Sequence, residues 1–362
     1  MKSTEATEQK QPVPANQLEL SFNDVQPGEE LDVSFMHRSF GLSGLPLRQP
    51  FAKDTSRHTG TTLPAKDRRA ELTKFHRTGA SCALTINSMG FTLPGGYEIN
   101  NIGLPFGAKA RLLVLWLTTQ ARQQSDNNRW LEIGSIKSWL TTVGVPYHSE
   151  NISAVKEQLV RLSFARFTMM LNRNNLMYFN NDQLIESSVF EEQDLMRYDQ
   201  GDLVNVRLPV GIKLGENAYN RFTGQEVIYV PTQALSEISN SAMAIDIFLY
   251  LCYRLPTLSP SEEILVSWKS LIAQFGNGEA KSKFQQTFLT SIERALKAYE
   301  RANVEINAEG LLLRYSDPAG RRKMFVLSPA STEKPMTRKR LANRIIPQTE
   351  NKSNGELPQL EF

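Results

Sequence analysis

The stretch from Lys281 to Arg301, KSKFQQTFLTSIERALKAYER, decides the fold class of this sequence. It contains no Gly or Pro, and its apolar side chains recur every fourth residue, at Phe284, Phe288, Ile292 and Leu296. At about 100° per residue this spacing predicts an amphipathic helix with one buried stripe. Its polar face is predicted to carry Lys283, Gln286, Thr290, Arg294 and Lys297. Lys281, the first residue of the helix, is a further candidate for DNA contact.

The elements predicted before and after this helix indicate which motif it belongs to. Ser241–Arg254 is a helix rich in apolar residues, and Ser267–Gly276 is a short helix that ends at a glycine. After the long helix, Val304–Ile306 and Leu311–Tyr315 form a β-hairpin. The order helix, short helix, long helix, hairpin is typical of a winged helix, a helix-turn-helix variant in which the hairpin is the wing.

The same order occurs earlier in the chain. Ala108–Gln123 is a strong helix, Ser135–Thr142 a short one, and Ser149–Ser163 a third helix with one apolar face. The strands Ala165–Leu171 and Leu176–Asn180 follow, joined by an Asn-rich tip that favours a hairpin. The sequence therefore predicts an α+β protein with two tandem winged-helix-like domains, the alternative being an α+β protein of another kind.

The predicted organisation has five parts. Residues 1–80 are rich in Pro, Ser, Thr, Gln and charge and are expected to be a largely disordered arm. The other four parts are the first domain (81–180), a connector (181–230), the second domain (231–328) and a basic then acidic tail (329–362). The connector is expected to contain the strands Leu203–Leu208 and Glu226–Val230.

Charge is distributed unevenly along the chain. The net charge is +3, but residues 1–47 carry −4 and residues 346–362 carry −2, which leaves +9 for the residues between them. A basic body with acidic ends indicates a polyanionic partner, most often nucleic acid, or else a solvated surface with a surplus of cations.

The predicted DNA contacts lie mainly in the second domain. Lys and Arg on the polar face of the long helix can contact phosphates or guanine, and Gln286 can pair with adenine. The hairpin and the residues after it add Arg314, Arg321, Arg322 and Lys323. The third helix of the first domain is nearly neutral. We expect it to contact only the DNA backbone, through its own Arg161 and with Arg166 and Arg173 nearby, or to form a dimer surface.

The sequence lacks the motifs of several enzyme classes. The Gly-rich stretch Gly90–Gly96 has no lysine, so it is not a nucleotide-binding P-loop. No His-x-His pair precedes a tyrosine, and no Gly-x-Ser-x-Gly elbow occurs. The four histidines and two cysteines show no metal-ligand spacing, and Cys82 and Cys252 are expected to be buried thiols. We therefore expect a protein that binds rather than catalyses, with no cofactor and no metal.

The sequence shows no signal for secretion or membrane insertion. No apolar run approaches the roughly 20 residues needed to cross a bilayer, and the first residues lack the apolar stretch of a signal peptide. We expect a soluble, cytoplasmic protein with no membrane partner.

A short motif near the N-terminus indicates a separate partner. The residues that carry it are Gln17, Leu18, Leu20 and Phe22. This stretch is similar to the Gln-Leu-x-Leu-Phe peptide that bacterial proteins insert into the sliding clamp of the replicative polymerase, with one extra residue before Phe22. In such peptides Leu and Phe fill an apolar pocket and Gln forms hydrogen bonds at its rim. A poorer copy, Gln359–Phe362, ends the sequence.

Three separated blocks resemble the plasmid-encoded RepA-type replication initiators. They are Gly103–Leu117 (GLPFGAKARLLVLWL), Ala244–Leu255 (AIDIFLYLCYRL) and Ser267–Gly276 (SWKSLIAQFG). The resemblance covers roughly residues 85–327 and implies a bacterial, plasmid-borne protein that is not an enzyme. It also implies binding to origin DNA at repeated sites, help in opening the duplex, recruitment of host helicase machinery, and a homodimeric state in some members.

Two other functions are compatible with the same residues. A winged-helix transcriptional regulator, such as an autorepressor, would read DNA with the same helices but has no need of the clamp-like peptide or the basic tail. An interaction protein would use its basic surplus for an acidic protein partner instead of DNA.

Overall fold

A computed structural model describes residues 33–51, 71–78, 82–124, 128–133, 137, 140–141, 143–173 and 176–319. These residues form a mixed α and β structure and all lie in one compact unit, Val25–Phe325. The helices of the described part are α1 (Arg38–Leu42), α2 (Gly107–Gln123), α3 (Ser149–Ser163), α4 (Glu192–Asp199), α5 (Glu216–Thr223), α6 (Leu235–Ile238), α7 (Ala242–Arg254), α8 (Trp268–Phe275) and α9 (Lys281–Ala298).

The strands pair in five small antiparallel sheets among the described residues. They are β1 (Val33–His37), β2 (Lys74–Thr78), β3 (Cys82–Asn87), β4 (Phe91–Thr92), β5 (Glu98–Ile99), β6 (Trp130–Glu132), β7 (Arg166–Arg173), β8 (Leu176–Gln183), β9 (Ile185–Ser188), β10 (Gly211–Leu214), β11 (Val227–Pro231), β12 (Glu263–Ser267), β13 (Val304–Ile306) and β14 (Gly310–Arg314). The sheet orders are β1-β11, β4-β5, β6-β10-β9, β2-β3-β7-β8 and β12-β14-β13.

The main core forms around α2 and α7, which pack against each other. Both helices are apolar on nearly every side, as expected of helices that are surrounded by other elements. α7 begins at an N-cap whose Ser241 Oγ accepts a hydrogen bond from Ala244 N at 3.2 Å. Side chains from both predicted domains share this core. The division of the chain into two separate domains stays a prediction.

A buried ion pair joins α2 to α7. Arg111 donates to both oxygens of Asp246, with Nε to Oδ1 at 2.6 Å and Nη2 to Oδ2 at 2.7 Å. Arg77 of β2 lies 3.9 Å from the same carboxylate. Burial lowers the pKa of Arg77 to about 10, and the negative charge of Asp246 opposes this shift. The pairing satisfies charges that would otherwise be costly to bury, so three distant parts of the chain meet at one carboxylate.

The prediction for the N-terminal arm was wrong for its described part. In β1 all five residues are buried, and the strand pairs with β11 from the connector. Phe40 of α1 lies in the main core, and Glu71 is also buried. A strand buried on both faces shows no alternation of polar and apolar residues, so the pattern that would have identified it is missing.

The connector also differs from expectation. Val227–Pro231 confirms the second predicted strand, but residues 203–208 form turns and irregular backbone rather than a strand. Here Leu203 and Val206 pack with α4 in a small second apolar cluster. The predicted short helix at Ser135–Thr142 lies largely outside the described residues.

The first predicted hairpin has a different role from that of a free wing. Its strands β7 and β8 pair as predicted, but β7 also pairs with β3 along its length. The hairpin is therefore half of a four-stranded sheet. The inner face of that sheet, with Leu84, Ile86 and Phe167, belongs to the main core. Cys82 and Cys252 are buried free thiols, as predicted. Among the described residues no helix has the length and apolarity to span a membrane.

Candidate nucleic-acid interface

Helix α9 is held to the core by aromatic side chains. Phe284, Phe288 and Ile292 are fully buried, and Leu296 is half-buried against the main core, which confirms the predicted stripe. The ring of Trp268, at the start of α8, meets Phe288 edge to face at 5.7 Å between centroids, and Phe275 at the end of α8 lies 5.8 Å from the same ring. Such pairs add to the stabilisation from burial. α8 and α9 are thereby locked into one helix pair.

The opposite face of α9 is open to solvent. The five side chains predicted there are exposed, and so is Lys281 at the start of the helix: Lys283, Gln286, Thr290, Arg294 and Lys297. The four cations form no ion pair with any residue of the described part, and Glu293 is the only acid within the helix. The Thr290 hydroxyl donates to the carbonyl of Gln286 at 3.2 Å. The face therefore presents unneutralised positive charge along several helical turns.

The N-terminus of α9 carries charges of the wrong sign for helix stability. The turn from α8 passes through Gly278, whose φ of +82° favours glycine. Ala280, the N-cap, provides no side-chain hydrogen bond, and the first turn has no acid but has Lys281 and Lys283. Cations near the positive end of the helix dipole are unfavourable. A local feature that costs stability is expected mainly at functional sites.

A polar groove of about 480 Å³ lies beside this face. Its walls include Lys283 of α9, Ser241 at the start of α7, and Arg48, together with Glu279. Arg48 begins a basic stretch of the N-terminal arm that is suited to phosphate contact, or else is a soluble linker. The structure places this exposed arginine next to the cationic face of α9.

The hairpin after α9 contributes less positive charge than expected. Arg314, in β14, pairs with Glu263 at 2.7 Å and with Glu305 at 3.1 Å. These hydrogen bonds raise the pKa of Arg314. Its charge is therefore balanced within the sheet β12-β14-β13.

Several predicted contacts fall elsewhere in the chain. Arg173 is the last residue of β7, but its side chain is not among those described. Two groups of predicted contacts lie outside the described residues: Arg321, Arg322 and Lys323, and the clamp-like peptide with Gln17, Leu18, Leu20 and Phe22.

The prediction for Arg161 was wrong. Its side chain is fully buried, and Nη1 and Nη2 donate to the two carboxylate oxygens of Glu71 at 2.6 and 3.0 Å. Glu157 accepts a further bond at 2.9 Å. Burial alone would lower the pKa of Arg161, but nearby Tyr198 and the hydrogen bond to Glu71, together with Glu157, raise it. Arg161 therefore stabilises the interior and cannot reach a phosphate.

The backbone beside Arg161 is adapted to it. Gly103 has a φ of +89°, and a Cβ at this position would overlap the guanidinium of Arg161 and the carboxylate of Glu71. The neighbouring Leu104 carbonyl accepts from Nη1 at 3.0 Å. The Gly-Leu-Pro turn is thus a packing element of the buried pair.

Two of the solved structures that are similar to this chain are of domains 2 and 3 of RctB. One, of selenomethionine derivatives, matches with a TM-score of 0.40 and 12% identity over 71% of this chain and 84% of that chain. The other, of RctB residues 155–483, matches with a TM-score of 0.40 and 10% identity over 69% and 91%. No family model and no curated protein matches the sequence.

Proposed function

We propose that this chain is a replication initiator that binds duplex origin DNA through the exposed face of α9. The observation that carries the proposal is the row of unpaired cations and polar side chains on that face, opposite a fully buried stripe. The major groove of B-DNA admits one α-helix, and Lys, Arg and Gln are the side chains that contact phosphates and base edges there.

The surroundings of α9 support a winged-helix interpretation of residues 242–314. Along the chain the order is α7, β12, α8, α9, β13, β14, and in the sheet β14 lies between β12 and β13. The tip of the β13–β14 hairpin is closed by Asn307, whose Oδ1 accepts from the amides of Glu309 and Gly310 at 2.9 and 3.0 Å. In this arrangement the hairpin is the wing and α9 the recognition helix.

The initiator part of the proposal rests on the resemblance of three sequence blocks to RepA-type proteins. Arg111 of the first block and Asp246 of the second form the buried pair described above. Trp268 and Phe275 of the third block hold α9 in place. The blocks thus build the framework that presents the proposed reading face, and the family that they resemble consists of binding proteins rather than enzymes.

The energetic role of such a protein is to strain DNA rather than to break bonds. Bending a site of 20–30 base pairs by 40–90° costs on the order of 1–6 kcal/mol, which several protein contacts can offset. Copies bound at repeated sites would concentrate that strain in a neighbouring AT-rich segment. Contacts with host replication proteins and a dimeric state belong to the same proposal.

A mobility-shift titration at several salt concentrations tests the proposal. The probe is a labelled duplex carrying the DNA that flanks the gene. We expect salt-dependent, sequence-dependent binding that the double variant Lys283→Ala, Arg294→Ala weakens, with a salt slope lower by about 1.8, since each neutralised phosphate adds about 0.9. The matched control is Lys213→Ala, because Lys213 belongs to β10 and its charge is paired with Glu186 at 3.3 Å.

Three results would contradict the proposal. Unchanged affinity of the double variant would remove α9 from the interface. Binding that ignores salt would favour an acidic protein partner over DNA. The third result combines two observations: the protein binds the DNA, but the gene supplied in trans does not maintain a plasmid that carries only the origin. This result would assign the chain to the transcriptional regulators.

A further inference from the structure

The outer face of the sheet β2-β3-β7-β8 is exposed on the side away from the core, and its side chains lie in three rows across the strands. The first row, in register, is Lys74, Asn87, Arg166 and Gln183. Lys74 and Arg166 are exposed and have no ion-pair partner in the described part of the chain. The row offers two cations and two amides.

The middle row consists of hydrogen-bonding side chains. It runs through His76, Thr85, Thr168 and Asn181. His76 Nδ1 lies 2.9 Å from Thr85 Oγ1, and Thr168 Oγ1 donates to Asn181 Oδ1 at 2.7 Å. These pairs hold the polar groups in place between the other two rows.

The third row lies at one end of the face, and three of its four side chains are apolar. It runs through Thr78, Ala83, Met170 and Phe179. Phe179 is 68% exposed and Met170 is 40% exposed, which is unusual for large apolar side chains on a sheet. No described position in the three rows carries a carboxylate. Phe179 and the cations of the first row lie four residues apart along the strands, which is about 13 Å. An exposed ring and unpaired cations on one face are the combination that binds bases and phosphates.

We propose that this face binds single-stranded DNA, with a base stacked on Phe179 and phosphates contacted by Arg166 and Lys74. The inference rests on the proposed function, in which a duplex is opened, and adds a second DNA surface to it. A four-stranded sheet with exposed aromatic rings is a known platform for stacking two or three unpaired bases.

The geometry of the face favours a single strand over a duplex. Strands lie about 4.8 Å apart, so four of them span about 14 Å, which is wider than the roughly 12 Å major groove. A ring can stack on a base only where that base has left the duplex. The charge also opposes a second copy of this chain packed face to face, because Lys74 and Arg166 would meet like charges.

Fluorescence anisotropy with the full-length protein tests the proposal. The probes are a labelled 15-mer of thymidylate and the labelled duplex used above. Phe179→Ala should weaken binding of the single strand about 5- to 150-fold, the range expected for loss of one stacked base, and leave duplex binding unchanged. Arg166→Ala should lower the single-strand salt slope by about 0.7.

The control variant is Val210→Ala, which removes an apolar side chain that is 79% exposed and lies outside the sheet β2-β3-β7-β8. It should alter neither affinity. Wild-type affinity of Phe179→Ala for the single strand would overturn the inference. So would tighter binding of a 15-mer of uridylate, or a dimer that dissociates in Phe179→Ala while single-strand binding stays intact.

The two proposals fail in different ways. Loss of single-strand binding in the α9 double variant, with none in Phe179→Ala, would show that both DNAs use α9 and would overturn only the sheet proposal. Duplex binding that is insensitive to the α9 variants would overturn the proposed function while leaving the Phe179 result to be read independently.

Discussion

Helices α3 and α9 occupy the same place in two similar successions of elements, yet one is enclosed and the other is open. α3 is covered on both sides, by the main core through Val155 and Leu159 and by the second cluster through Val160. In α9 the apolar stripe is buried, and the opposite face is exposed over the whole helix. Of these two helices, α3 is therefore a packing helix, whereas α9 has a free face that is suited to recognition.

The difference comes from what lies over the polar face of α3. Gln158 accepts a hydrogen bond from the amide of Phe106 at 2.8 Å, and Arg161 is paired with Glu71. Both partners belong to segments that precede α2, so distant sequence covers a face that looks solvated in isolation. Polarity on a helix therefore identifies a recognition face only when no other segment supplies partners for it.

The largest expected effect separates the two arginines. Arg161→Ala should lower the free energy of unfolding by about 3–5 kcal/mol, because it leaves Glu71 as an uncompensated buried charge. Arg294→Ala should change it by less than about 0.5 kcal/mol, as for most exposed positions. Urea titrations followed by circular dichroism measure both. Equal effects of the two substitutions would mean that the contrast between α3 and α9 is wrong.

A smaller effect separates two glutamines. Gln158→Ala should cost about 1–3 kcal/mol of stability, because the half-buried Phe106 loses the acceptor of its amide and the buried Gln158 side chain is removed. Gln286→Ala, its counterpart on the open face of α9, should be within about 0.5 kcal/mol of wild type and instead weaken duplex binding. A stable Gln158→Ala variant would show that the face of α3 is less tightly closed than the structure indicates.

The smallest effect has the opposite sign. Lys281→Glu places an acid at the positive end of the α9 dipole, and we expect a gain of about 0.3–1 kcal/mol in stability. The same change should weaken duplex binding because it adds negative charge at the proposed interface. A variant that is both more stable and a better DNA binder would contradict the role given to this end of the helix. Thermal melts and mobility shifts on one preparation distinguish these outcomes.

Local pattern predicted five of the nine described helices, α2, α3, α7, α8 and α9, but not the short helices α1, α4, α5 and α6. The sequence predicts helices over Ala108–Gln123 and Ser149–Ser163, and the structure has Gly107–Gln123 and Ser149–Ser163. For α9 the predicted start is correct and the end is three residues early, at Ala298. Apolar spacing and glycine stops are properties of neighbouring residues, so a single sequence contains them.

Long-range pairing could not be predicted in the same way. Nothing near Arg161 in the sequence indicates that its partner is Glu71, 90 residues earlier. Likewise β12, with exposed and half-buried residues alternating, is recognised as the partner of β14 only in the structure. Of the candidate site, the face of α9 was predicted and is exposed, Arg161 was placed wrongly, and the sheet face with Phe179 was missed because its rows combine four strands.

The buried pair of Arg111 and Asp246 affects how the chain folds during its synthesis. Arg111 leaves the ribosome 135 residues before its partner, which at 5–20 residues per second is a wait of about 7–27 s. During that interval the guanidinium has no acid to bury against, so α2 cannot settle into its final environment. The first half of the nascent chain thus stays incomplete until α7 emerges, and a fragment that stops before Asp246 should be a substrate for chaperones rather than a folded domain.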